Sequence, residues 1–123
     1  MNWYLRNFAK AWLITVLIET LVIFGIFKKF LKKEPVSSKL LISSSIFANS
    51  LTLPYVWFVF PYLFLGKYSL NLTLSEIFAW LIEAIFYKVY LKLSLRNALI
   101  VSLAANFVSF CLGYLLGHVW YWV

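Results

Sequence analysis

The chain has 123 residues, 64% of them hydrophobic and only 12% charged, with a mean hydropathy of +0.90. A soluble domain carries roughly a quarter charged residues and shorter apolar stretches, which argues against a small water-soluble globule. The net charge of +7 does not point to nucleic acid, because the cations gather at the ends of apolar runs, where lipid headgroups would meet them.

In chain order, Trp3, Tyr4 and Phe8 stand beside Arg6 and Lys10 in an amphipathic start that either lies at an interface or begins the first helix. The first apolar span runs from about Ala11 to Leu31, close to the ~20 residues a bilayer crossing needs. It is longer than the ~7–15-residue apolar region of a signal peptide, carries Glu19 and ends in lysines, so it is expected to stay in the mature protein. Pro35 ends this helix inside a basic loop, and Ser37 or Ser38 can cap the next. The second span, residues 40–65, contains no charge and is interrupted by Pro54 and Pro61, each of which removes a helical hydrogen bond and predicts a kink.

A turn over residues 66–71 follows, and Thr73 with Glu76 fits a capping box that would start the third span, about Ile77–Leu93. Ser94 and Asn97 mark the start of the fourth, about Ala98–Gly117, and His118, Trp120, Tyr121 and Trp122 make an aromatic tail. Cys111 is the single cysteine, so no intramolecular disulfide can form, and it reads as small packing. These elements predict an all-α membrane protein with four transmembrane helices, a single transmembrane domain over residues 1–123.

Four spans place both termini on one side. The side of the first and third loops holds eight cations (Lys28, Lys29, Lys32, Lys33, Lys39, Lys88, Lys92 and Arg96), and the other holds three, Arg6, Lys10 and Lys67. That asymmetry predicts a multi-pass protein of the cell (inner) membrane with both termini outside the cytoplasm. Trp3, Tyr4, Tyr62, Tyr68 and Tyr114 fall on the outer side, as an interfacial aromatic belt would.

The rarest residues in these runs recur in order. Glu19 matches Glu83 at an offset of 64, and Asn49 matches Asn106 at an offset of 57. Ser45, Asn49 and Thr52 share one helical face, and Ser102, Asn106 and Ser109 repeat the spacing. Lys28 matches Lys92, and Lys32 matches Arg96. The pattern predicts two parallel two-helix repeats, one over about 11–65 and the other over about 75–118, related by an axis along the membrane normal.

Both glutamates and both asparagines lie near the middle of their spans. A carboxylate at the bilayer centre costs at least ~2.5 kcal/mol, so such residues usually face the bundle interior and take partners there. Desolvation and mutual repulsion disfavour two negative charges at once, so a shared proton is expected if the pair meets. Carboxylate and amide oxygens are also hard ligands for a cation. Glu19, Glu83, Asn49, Asn106, Thr52 and Ser109 are therefore the candidate ion- or proton-binding set, with Pro54 and Pro61 as candidate gating kinks.

The bland reading of the serines, threonine and asparagines is hydrogen bonding between helices. Glu76 reads as a cap, Tyr87 either as a partner of Glu83 or as an interfacial tyrosine, and His118 as interfacial. Ala105, Ser109, Gly113 and Gly117 form a small-residue ridge that would let a helix approach closely.

No Ser/His/Asp set, His-rich motif or glycine-rich phosphate loop is present, so an enzyme is not expected, and no cofactor is implied. The leading expectation is a small transporter or channel for a cation or proton, working in the lipid bilayer as a homo-oligomer because four helices enclose little space. The competing reading is a non-catalytic subunit that docks a partner protein or lipid through the same polar centre. A membrane enzyme acting on a lipid or quinone, with a glutamate as base, ranks below both.

Overall fold

Asn2 opens the first helix by accepting the Tyr4 amide on its side chain at 2.7 Å, satisfying one of the amides a helix start leaves free. In the computed structural model, residues 2–31 and 36–120 are described, with side chains through residue 115. Helix α1 covers Trp3–Lys29, α2 Ser38–Pro54, the short α3 Phe60–Leu63, α4 Tyr68–Tyr90 and α5 Leu95–Trp120. The amphipathic start is thus the first two turns of α1. The expected roles of Pro35, Lys32, Lys33 and of the tail from Gly117 onward lie outside the described residues and side chains.

Ser37 caps α2, accepting the Leu40 amide at 3.2 Å, and Ser94 accepts the Asn97 amide at 3.2 Å at the start of α5. The capping box expected at Thr73 and Glu76 is overturned. Gly66, at φ 76°, turns the chain, and α4 begins at Tyr68 after Lys67, so Thr73 and Glu76 sit inside a helix that is already running. The apolar residues between Tyr68 and Ile77 favoured continued helix over a new start, which a local four-residue motif could not reveal.

The second span departs from a simple kink. Beyond Pro54 the backbone passes through a π turn, Tyr55–Val59, in which the Phe60 amide bonds the Tyr55 carbonyl, before α3 resumes with Pro61 at its start. Pro61 has no N–H for the carbonyl four residues before it, that of Trp57. The Tyr4 hydroxyl donates to this Trp57 carbonyl instead. Tyr4 and Phe8 also pack against Trp57 and Phe58, edge-on except for the tilted Tyr4–Trp57 pair, so α1 braces the broken segment.

Four helical stretches are long and apolar enough to cross a membrane: Trp3–Lys29, Ser38–Leu63, Tyr68–Tyr90 and Leu95–Leu115. They close a ring in chain order. α1 packs on α2, α2 on α4, α4 on α5, and α5 returns to α1.

Each helix buries one narrow stripe at three- and four-residue steps: Val16, Glu19, Ile23 and Phe27 on α1, and Ser45, Ala48, Asn49 and Thr52 on α2. α4 contributes Ala79, Glu83, Ala84 and Tyr87, and α5 Ala98, Val101, Ser102, Ala105 and Asn106. Alanines and serines at the contacts let the backbones approach, whereas Leu17, Leu21, Phe47, Ile85 and Phe107 point outward. Polar groups inside and large apolar ones outside invert the arrangement of a soluble domain.

Serines tie the ring together. Ser45 donates to the Val16 carbonyl on α1 at 3.3 Å, and Ser102 to the Trp80 carbonyl on α4 at 2.7 Å. Such links between membrane helices average about 0.6 kcal/mol each. The small-residue ridge on α5 is only partly used. Ala105 is fully buried, but nothing lies within 4 Å of where a side chain at Gly113 would begin, so no described helix approaches closely there.

Candidate functional site

The buried stripes of α1 and α4 each carry one glutamate, and the ring sets these two helices diagonally opposite. Their carboxyl groups therefore turn toward the bundle interior, where Glu19 and Glu83 are each 1% exposed and close enough to interact electrostatically. Two carboxylates brought together in an apolar surround repel, which disfavours carrying both charges at once.

The remaining four candidates surround this pair. Thr52 of α2 donates to Glu83 Oε2 at 2.8 Å, and Ser109 of α5 donates to Glu19 Oε2 at 3.1 Å. Asn106 Nδ2 reaches Glu83 Oε1 at a long 3.4 Å, while Asn49 lies beside Glu19. Each glutamate thus takes a hydroxyl from one neighbouring helix, and Glu83 also an amide from the other.

The amides are held from behind. Asn49 Nδ2 donates to the Ser45 carbonyl at 2.9 Å, and Asn106 Nδ2 to the Ser102 carbonyl at 2.8 Å. Ser102 Oγ additionally accepts from Asn106 Nδ2 at 3.2 Å while donating to Trp80. Thr52 also lies 3.2 Å from the Ala48 carbonyl, so its single proton is shared between that oxygen and Glu83. Helical spacing of three and four residues explains why these side chains fall on one line.

All six sequence-derived candidates therefore meet in one buried cluster. Pro54 and Pro61 do not touch it; they flank the π turn further along the second span.

Two residues near the cluster were misread or left undecided by sequence. Tyr87 is 0% exposed, which overturns its interfacial reading, and its hydroxyl has no hydrogen-bonding partner among the described residues, so it does not bond Glu83. Glu76, freed of a capping role, is half-buried seven residues before Glu83 on the same face of α4 and is reached by its charge. The buried position of Tyr87 was legible as the next step of the Ala79–Glu83 stripe.

Chemically, the cluster offers acidic and neutral oxygen ligands and amide donors. Lys28, Lys29, Lys88 and Lys92 are all exposed at the helix ends. No group of three or more His, Cys, Asp or Glu side chains gathers among the described residues. Compared with known protein families, with curated proteins and with solved structures, the chain finds no match.

Proposed function

We propose that the chain is a small integral membrane transporter or channel whose proton or cation is held at the Glu19–Glu83 pair. One observation carries the reading: two glutamates from opposite helices are each 1% exposed in the bundle interior, and the hydroxyls that donate to them, Thr52 and Ser109, are neutral. A structural polar core seldom needs two acids, because a buried charge without a basic partner costs several kcal/mol unless it neutralises by taking up an ion or proton. Asn49, Asn106, Thr52 and Ser109 orient the carboxyl groups, and the break between Pro54 and Pro61 is the hinge that would open access.

The same reading includes a duplicated architecture. The hydrogen bonds repeat at the two sequence offsets: Ser45 to Val16 recurs as Ser102 to Trp80, and Asn49 to Ser45 recurs as Asn106 to Ser102. The Glu-to-Asn separation is 30 in the first half and 23 in the second. Of the seven extra residues, α1 supplies three, running ten past Glu19 where α4 runs seven past Glu83. The linkers, residues 30–37 against 91–94, supply the other four. Two parallel repeats about an axis along the membrane normal would place both acids on that axis. The lysine-rich loops would lie in the cytoplasm with both termini outside, and a homo-oligomer would supply the enclosure that four helices lack.

Proteoliposomes loaded with a pH-sensitive dye test this. An imposed gradient should collapse faster with the wild-type protein than with empty vesicles, and Glu19→Gln combined with Glu83→Gln should remove the difference. Unchanged flux in the folded double variant would sink the reading and leave the cluster a structural or partner-docking core.

A further inference from the structure

Two residues among those described take the left-handed backbone region: Gly66 at φ 76° before α4, and Lys92 at φ 56° between α4 and α5. Glycine adopts this conformation freely, whereas a residue with a Cβ is strained in it. The second turn nevertheless needs it. The Leu93 amide folds back to the Lys88 carbonyl at 3.2 Å, the closing bond that a left-handed residue after a helix end allows. Leu91 and Leu93, on either side of Lys92, are buried in one apolar cluster with Phe27, Leu41 and Ala98, which holds the turn in place.

Nothing inside the fold uses this lysine. Its side chain is exposed, and no hydrogen bond or ion pair reaches it among the described residues. The preference for cations on one side of a membrane does not require it either. That preference counts charge anywhere near the end of a span, so the exposed position of Leu95 would serve without backbone strain. A strained residue with no task inside the chain points to a task outside it.

We propose that Lys88, Lys92 and Arg96 form a binding site for the phosphate headgroup of an anionic phospholipid at the α4–α5 turn. All three side chains are exposed, and they follow one another at four-residue intervals across a turn between two packed helices. No acid opposes them there: Glu19, Glu76 and Glu83, the described carboxyl side chains, lie in the middle or toward the other end of their spans. Clustered cations at a span's end attract anionic headgroups. Val89 and Leu95, 72% and 52% exposed, stand among the three cations and offer a surface to acyl chains, which favours a lipid over a free phosphate. The site is separate from the acid cluster and does not rest on the transport reading.

The test is thermal unfolding of the purified full chain in dodecylmaltoside micelles, doped with phosphatidylcholine or with phosphatidylglycerol of the same acyl chains. Phosphatidylglycerol should raise the melting temperature more, increasingly so as its mole fraction grows. Lys92→Gly should melt at or above wild type in phosphatidylcholine, because it relieves the left-handed strain. The same variant should need about fivefold more phosphatidylglycerol for a given rise, and Arg96→Gln should repeat that loss without altering the turn.

Lys39→Gln removes one exposed cation from the same end of the bundle, at the start of α2, diagonally across the ring from α5. It should leave the lipid response nearly as it is in wild type. Equal rises with the two lipids, an equal loss in Lys39→Gln and Lys92→Gly, or the same rise with soluble glycerol phosphate overturns the proposal. So does a Lys92→Gly variant that melts below wild type in phosphatidylcholine, since the lysine would then have a task within the fold.

Discussion

The two halves of the bundle run the same hydrogen-bonding scheme on different surroundings. In the first half the acid sits between Trp12 and Ile23; in the second, at the matching offset of 64, it sits between Glu76 and Tyr87. The serine, asparagine and glutamate positions agree between halves, whereas the backbone beyond Pro54, broken where α5 runs on, and the residues one and two turns from the acids do not. Agreement marks what the packing demands, namely small side chains and satisfied polar groups where helices cross. Disagreement marks what packing does not demand, and there the second half carries extra titratable groups.

Making the halves alike is the severest way to break this comparison. Tyr87→Ile copies the first half but removes a large buried ring, and is expected to cost about 2–4 kcal/mol through the void it leaves. Tyr87→Phe should cost far less. Thermal unfolding of the two variants side by side separates the ring's packing from its hydroxyl, and equal losses would mean that the hydroxyl, not the ring, carries the residue's contribution.

Next in size is the crosswise exchange of hydroxyls. Thr52→Val keeps shape and removes the 2.8 Å bond to Glu83 from a site that is 1% exposed, for an expected loss of about 1–1.5 kcal/mol. Ser109→Ala removes a 3.1 Å bond from a half-buried site and should cost about half as much. Denaturant titration in micelles ranks the pair, and the reverse order would contradict the geometry.

The aromatic brace of the first half can be isolated by a double-mutant cycle. Tyr4→Phe leaves the Trp57 carbonyl without its donor and should cost about 1 kcal/mol. In a Pro61→Ala background the new amide can serve that carbonyl, so the cost of Tyr4→Phe should shrink toward zero. Additive losses would show that Tyr4 acts through its ring contacts instead.

Smallest is the pair of cross-helix serines. Ser45→Ala breaks a 3.3 Å bond and should cost about 0.5 kcal/mol or less, whereas Ser102→Ala breaks a 2.7 Å bond and loosens Asn106, for about 1 kcal/mol. Melting curves that fail to separate the two would mean that the amides, not the serines, hold these helices together.

Much of this protein was legible in its sequence, and the reason is local. Apolar runs of about 20 residues announce spanning helices, and a three- or four-residue recurrence of Ser, Asn and Glu in such runs announces one face. That was enough to find the four long helices and the six side chains that meet between them. The same local reasoning failed where a motif had a rival, as at Thr73 and Glu76, where hydrophobic continuity carried the helix back to Tyr68.

What only the tertiary structure decided depends on how the helices turn about their axes and which are diagonal. Sequence spacing says that Glu19 and Thr52 each face inward, but not that Thr52 serves Glu83 while Ser109 serves Glu19. It also cannot show that Tyr4 reaches the carbonyl released by Pro61, since those residues lie 57 apart in the chain. Nor does it show that the Tyr87 hydroxyl is sealed inside. Periodicity fixes a residue's face; the rotation and order of four packed helices fix its neighbours, and the chemistry of the polar centre lies in the neighbours.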